Sequence, residues 1–210
     1  MPVAWGVVVM VGLGAVLWPA KAMTQEIISD QVIITSGQGR LFGITSSEGI
    51  SRKFLAAGEE ILAIEAKGIT GFVHTTKRLL GFSARLKRWV SVNLSTAEHI
   101  LKWTVTPRMV VVQGRENVYG FQSDLARWKK ESWGSGEKFK GDFVEDYVGV
   151  LVTDRRALGF SAFTGGFFSQ DLPLGNPIRE VQINDNVVVI HLLGRKLVFR
   201  SGLAVWAELP

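Results

Sequence analysis

Residues 149–167 read GVLVTDRRALGFSAFTGGF. The same layout returns at 71–89 (GFVHTTKRLLGFSARLKRW), 110–128 (VVVQGRENVYGFQSDLARW) and 188–206 (VVIHLLGRKLVFRSGLAVW). Each copy starts 39 residues after the one before, and a more diverged copy, VIITSGQGRLFGITSSEGI, occupies 32–50. The columns hold position by position. A basic column reads Arg40, Arg78, Asn117, Arg156, Arg195, and a large apolar column reads Ile50, Trp89, Trp128, Phe167, Trp206. Between them the Gly-Phe pair reads Gly43-Ile44, Gly81-Phe82, Gly120-Phe121, Gly159-Phe160, Val198-Phe199. A single Gly-Phe or Arg-Trp means nothing, but five copies in register set the architecture.

Runs rich in Val, Ile, Phe and Trp alternate with turn residues, so each repeat contains four short strands. In the third copy they are predicted at 109–113, 117–122, 126–133 and 138–144. Four strands in about 39 residues make the unit of a β-propeller blade. A solenoid would need atypical capping repeats at its ends. The fold expected is therefore an all-β, five-bladed β-propeller over residues 23–210. Its last repeat lacks a fourth strand, because the next would centre beyond Pro210. Residues 23–29 (MTQEIIS) supply a strand whose Ile28 falls in column with Ala66, Val105, Val144 and Ile183. The expectation is that this N-terminal strand completes the last blade and closes the ring, removing an open sheet edge.

Composition narrows the chemistry. The chain has 210 residues, 47% apolar and 20% charged, which is globular usage. It has no cysteine and three histidines, which excludes disulfide scaffolds, thiolate zinc sites and cysteine nucleophiles. The formal charge is +5, a mild preference for acidic partners. Residues 3–18 (VAWGVVVMVGLGAVLW) carry no charge and are followed by Pro19, Ala20, Lys21 and Ala22, a small-x-small ending. That is short for a membrane span and suits a cleaved export signal. Residues 1–22 are thus expected to be a signal peptide, or an uncleaved anchor attaching the chain to a membrane. A buried N-terminal segment is the remaining alternative. The protein is then exported, periplasmic or secreted.

In repeat number and layout, residues 23–210 resemble the small five-bladed propellers of the tachylectin type. The resemblance implies architecture only and carries over no binding residue. The string VTDRRALGF is also similar to a strand turn of bacterial pleckstrin-homology-like domains, but two of those would repeat near 90 residues, not 39.

Three groups of side chains are candidates for binding. Arg40, Arg78, Arg156 and Arg195 would make a basic ring able to hold carboxylates or phosphates, unless each braces its own turn. One strand column reads Ser36, His74, Gln113, Val152, His191, with the histidines and Gln113 expected to line a central channel; no metal is assigned there. Trp103 and Trp133 stand outside the repeat pattern and are candidates for stacking on sugars. The Trp/Phe column is expected in the core, filling the wedge between blades. Lys87-Arg88 and Lys129-Lys130 adjoin Trp89 and Trp128, yet the modest charge and expected export argue against nucleic acid. Asp30, Asp146 and Asp185 share a column of turn formers. Five-bladed glycosidases, similar in blade number, set separated carboxylates at the centre; the histidine column holds none. No Ser-His-Asp order, phosphate loop or HExxH occurs. The sequence thus points to a non-enzymatic module without cofactor, binding a protein or glycan at the cell envelope. A protein-interaction scaffold ranks ahead of a multivalent lectin, because the repeats diverge at their loops.

Overall fold

The computed structural model describes residues 31–46, 49–173 and 177–210. All secondary structure among them is β. The first sheet contains β1 (Val32–Gly37), β2 (Arg40–Thr45) and β3 (Ile50–Phe54). The second runs β4 (Ile61–Lys67), β5 (Thr70–Thr75), β6 (Arg78–Ser83) and β7 (Arg88–Asn93). The third runs β8 (Ile100–Val105), β9 (Met109–Gly114), β10 (Asn117–Gln122) and β11 (Arg127–Ser132). The fourth runs β12 (Phe139–Val144), β13 (Val148–Thr153), β14 (Arg156–Ser161) and β15 (Gly166–Asp171). The last runs β16 (Glu180–Asn184), β17 (Val187–His191), β18 (Lys196–Arg200) and β19 (Val205–Leu209). Every pairing is between chain neighbours and antiparallel. The architecture is a five-bladed β-propeller.

The strands of the third repeat fall where the sequence placed them, but their grouping into blades differs. The strand at 138–144 does not join the repeat that precedes it: β12 pairs with β13, in the next blade. The physical reason is loop length. Three residues separate β12 from β13, which forces a hairpin, whereas the six from Trp133 to Lys138 let the chain cross to the neighbouring sheet. The same phase gives the last blade four strands of its own, with Glu180–Asn184 in the fourth place. The expectation that residues 23–29 complete that blade is thereby corrected. Those residues lie outside the described ones; the first blade has three described strands.

The Gly-Phe pair explains how blades stack. Phe82 lies over Gly43, Phe121 over Gly81, Phe160 over Gly120 and Phe199 over Gly159, so a Cβ on each glycine would fall within 2.7 Å of the ring of the following blade. Glycine is required there for close approach of a neighbour, not for its backbone freedom. Each phenyl also packs on the large apolar residue of its own blade: Phe82 on Trp89 at 4.9 Å, Phe121 on Trp128 at 5.2 Å, Phe160 on Phe167 at 4.9 Å, Phe199 on Trp206 at 5.0 Å. The Trp/Phe column is core as expected, except that Ile50 is 58% exposed.

Four hydrophobic clusters fill the four seams between consecutive blades. Blades two to four are covered on both faces, and β10 and β13 are buried along their whole length. β2 and β17 alternate buried with half-buried residues, as strands covered on one side do, whereas β18 of the last blade is buried at Leu197, Val198 and Phe199, on both its faces. Among the described residues no cluster joins the last blade to the first.

Candidate functional site

The arginine column is occupied by the fold. Glu59, in the loop before β4, accepts from Arg78 Nε at 2.8 Å and Nη2 at 2.9 Å, from the Thr75 hydroxyl at 2.7 Å and from the Ala56 N–H at 2.7 Å. Arg78 also donates to the Phe54 carbonyl of the preceding blade at 2.9 Å. Glu137, Arg156 and Thr153 repeat the arrangement, with Arg156 reaching the Ser132 carbonyl at 2.7 Å. In the third repeat, where Asn117 replaces the arginine, Glu98 instead accepts from the Tyr119 hydroxyl at 2.8 Å and from the Asn117 amide. Burial pushes these three carboxyls up, but the hydrogen bonds from Arg78, from Asn117 and from Arg156 respectively, with their backbone donors, outweigh it. All three are held below the usual carboxylate range. Arg195 pairs with Glu208 at 2.7 Å, and the Arg40 guanidinium lies 5.0 Å from the Phe54 ring centroid. The guanidiniums are therefore distributed among separate blade fastenings and do not form one ring. Glu59, Glu98 and Glu137 recur at the repeat period, a column the sequence reading missed although its spacing was visible.

His74, Gln113, Val152 and His191 lie on β5, β9, β13 and β17, each flanked on both sides by strands of its own sheet, so these are not edge strands lining a channel. Their side chains enter the seams. His74 shares a face with Phe72 and meets Trp103 edge-on at 5.9 Å, and burial pushes its imidazole below the ordinary value. Gln113 faces the fourth blade, on the same side of β9 as Val111. His191 lies on the side of the last blade that faces away from the fourth, its Nε2 buried with no partner among the described residues. Trp103 donates to Glu65 at 2.9 Å and packs on Phe72; Trp133 donates to the Gly114 carbonyl at 3.0 Å and packs on Phe139. Both indoles are half-buried fasteners between blades rather than open platforms. No group of three metal-ligating side chains occurs among the described residues. Asp146 sits in a three-residue turn and Asp185 in a two-residue turn, and Asp30 lies outside the described residues.

A different cluster gathers where five turns meet along one edge of the second, third and fourth blades. Here a cleft of about 400 Å³ is lined by Arg85, Arg108, Asp124, Tyr147 and Phe163, among others. Asp124 accepts from Arg85 at 2.8 Å and from Arg108 at 3.2 Å. The Arg108 guanidinium lies 5.4 Å from the Tyr147 ring centroid, and Tyr147 stacks on Phe163 at 5.1 Å and 12°. Gln122 at the cleft wall donates to the Ala162 carbonyl at 2.6 Å, and its Oε1 is buried with no partner. Two guanidiniums share one carboxylate beside an exposed aromatic stack, so the cleft carries excess positive charge and a flat apolar wall. A larger hollow of about 510 Å³ lies near Lys140, Asp154 and Pro177, beside residues 174–176, which are not described; no convergent set of charges or rings marks it. The cleft residues fall in two columns of the repeat, Arg85–Asp124–Phe163 and Arg108–Tyr147, but the residue type changes from copy to copy, so neither column stood out in the sequence.

No protein-family model matches the chain, and no curated protein matches it. Among solved structures, similarity is found to the HIRA fragment 644–1017, at 10% identity over 84% of this chain and 55% of that one, with a TM-score of 0.41. The dihydro-heme d1 dehydrogenase NirN matches at 10% identity over 87% of this chain and 44% of that one, with a TM-score of 0.39. Kluyveromyces lactis Hsv2p matches at 12% over 70% and 50%, with a TM-score of 0.35. The chain spans about half the length of these proteins. The fold assignment rests on the blades themselves.

Proposed function

We propose that the chain is a non-enzymatic binding module, an interaction scaffold exported to the cell envelope, whose ligand is an acidic segment of a protein partner. The observation that carries this is the 400 Å³ cleft, where Arg85 and Arg108 share the single carboxylate of Asp124 beside the Tyr147–Phe163 stack. A partner carboxylate would take the second guanidinium in paired hydrogen bonds, and an adjoining apolar side chain would lie on the rings. The other strongly held ionic groups, Arg78 with Glu59 and Arg156 with Glu137, are fastened inside the blades. Export rests on residues 3–18 and the small residues after them; cell fractionation with N-terminal sequencing of the recovered protein tests it.

The binding test is an envelope pull-down with the wild-type chain beside the Arg108→Ala and Tyr147→Ala variants, and a glycan array run in parallel. Loss of one recovered partner in both variants, with unchanged melting temperature, supports the assignment. A partner retained by both variants overturns the cleft as its site. A family of sugars bound on the array, with no protein recovered, would make the chain a lectin instead.

A further inference from the structure

Along the arginine column every side chain is matched to a carboxylate except the first. Glu59, Glu98 and Glu137 stand 19 residues before Arg78, Asn117 and Arg156 and accept from them. Nineteen residues before Arg195 the sequence has Asn176, and Arg195 turns to Glu208 at 2.7 Å instead. Nineteen before Arg40 it has Lys21, a charge of the wrong sign. Among the described residues Arg40 Nε is buried without a hydrogen-bond partner. In Arg78 and Arg156 that same atom donates to the glutamate, at 2.8 and 2.9 Å.

The space for that carboxylate is open at the first blade. Gly37, paired with Arg40 across the β1–β2 turn, stands where Thr75 and Thr153 pair with Arg78 and Arg156. In the third blade the same place is Gly114, and a Cβ there would fall 2.4 Å from Glu98 Oε1, on top of the bound carboxylate. A Cβ at Gly37 would meet nothing within 4 Å. Opposite Arg40 on β3 stands Phe54, where the next three blades carry Asn93, Ser132 and Asp171. Its ring is 64% exposed and lies 5.0 Å from the guanidinium, a contact that holds the cation in place without neutralising it.

We propose that Arg40, Gly37 and Phe54 form a carboxylate site for a glutamate-bearing turn of a partner protein, which takes at the first blade the place that Glu59 takes at the second. The chemistry is displayed three times within the chain. Each of those glutamates sits in a turn of the form small-x-small-Glu-x-apolar, at 56–61 (AAGEEI), 95–100 (STAEHI) and 134–139 (GSGEKF). In two of them the carboxylate also closes its own turn, accepting from the Ala56 and Gly134 N–H groups, so the segment arrives already shaped for the arginine. The chain's own residues do not supply this group in register: the column position is Lys21, and Glu208 of the last blade is engaged by Arg195. The site lies at the other end of the strands from the Arg85–Arg108 cleft and does not depend on what that cleft binds.

The experiment follows the arginine Nε–Hε signals of the full 15N-labelled chain by NMR while a peptide copying residues 55–61 (LAAGEEI) is added. The Arg40 signal, assigned by its loss in Arg40→Lys, is expected to move downfield and saturate in the millimolar range. Those of Arg78 and Arg156, already engaged, stay still. A peptide with Gln in place of the Glu59 residue should bind about tenfold more weakly, the worth of a charge-assisted pair. Gly37→Thr supplies the hydroxyl that Thr75 and Thr153 donate to their glutamates. It is expected to tighten the peptide about fivefold, a gain that unfolding cannot produce. An Arg40 signal unmoved by the peptide overturns the proposal, and that is also the result if a carboxylate of residues 1–30 fills the site. An equal response to the Gln peptide, or no gain in Gly37→Thr, overturns it too. So does a shift confined to Arg85 and Arg108, which would assign the peptide to the cleft and leave the reading of that cleft standing.

Discussion

Replacing Gly120 by alanine tests the stacking rule at its tightest seam. A Cβ there would fall 2.2 Å from Phe160 Cε2 and within 2.6 Å of two further ring atoms, where ordinary contact begins near 3.4 Å. The ring has no room to withdraw, because Phe160 is fully buried and its other side packs on Phe167 at 4.9 Å. Over-packing of this kind costs about 1–3 kcal/mol. Alanine recovers about 0.4–1 kcal/mol by restricting the unfolded chain, leaving a net loss of about 1–2 kcal/mol. For a chain of this size that lowers the melting temperature by roughly 2–8 °C. Gly202→Ala serves as the control, since nothing lies within 4 Å of the added methyl. Phe160→Leu alone removes ring volume and is also destabilising, but combined with Gly120→Ala it should cost less than the two losses added. A favourable coupling of about 0.5–3 kcal/mol is expected for residues in direct contact. Thermal and urea unfolding of the four chains give the cycle. Strict additivity, or a Gly120→Ala protein as stable as Gly202→Ala, would refute the claim that glycine is there to receive the ring.

The remaining predictions concern the fastenings. The Arg78→Ala and Arg156→Ala double change should cost several kcal/mol because Glu59 and Glu137 are left buried and unpaired; an unchanged urea midpoint would return those arginines to ligand duty. Glu59, Glu98 and Glu137 have carboxyls depressed below 4.5 in the folded chain. The unfolded state therefore binds protons first, and stability present above that value is lost as pH falls through and below it. Melting temperatures from pH 7 to 3 should drop steeply at the acid end, and more shallowly in a Glu59→Gln, Glu137→Gln protein, with equal slopes counting against the clamps. His74, neutral by burial, should titrate below 6.5 in an NMR pH series, and a midpoint at or above that value would contradict its place in the seam.

How much of this was legible beforehand follows from which interactions repeat. The strand positions, the blade count and the aromatic core were readable, since a seam made five times leaves a column at each contact. Blade boundaries were misassigned because the repeat has the same period whichever strand is taken as its first. Only the contrast between the three residues joining β12 to β13 and the six before β12 fixes the phase, and that contrast was present in the sequence. The arginine column was seen, but its meaning depended on the glutamate column, displaced 19 residues upstream and concealed by Asn117 in the third copy. The cleft left no such trace. Arg85, Asp124 and Phe163 share one turn column and Arg108 and Tyr147 another, but each column changes chemistry from copy to copy, so the period of 39 gave no residue pattern to read there.

That division has a physical basis. A residue repeated in every blade is there because every blade needs it, so periodic columns report seams, and Arg78, Trp89 and Gly81 all proved to be parts of seams. Positions where the period fails are free to do something else. Phe163 stands where its neighbours carry Arg85 and Asp124, and its ring is open to solvent against Tyr147. Ile44 and Val198 stand where the other blades carry phenylalanine and glycine. In a repeat protein of this kind the fold is written in what recurs, and sites of binding are to be sought at the exceptions.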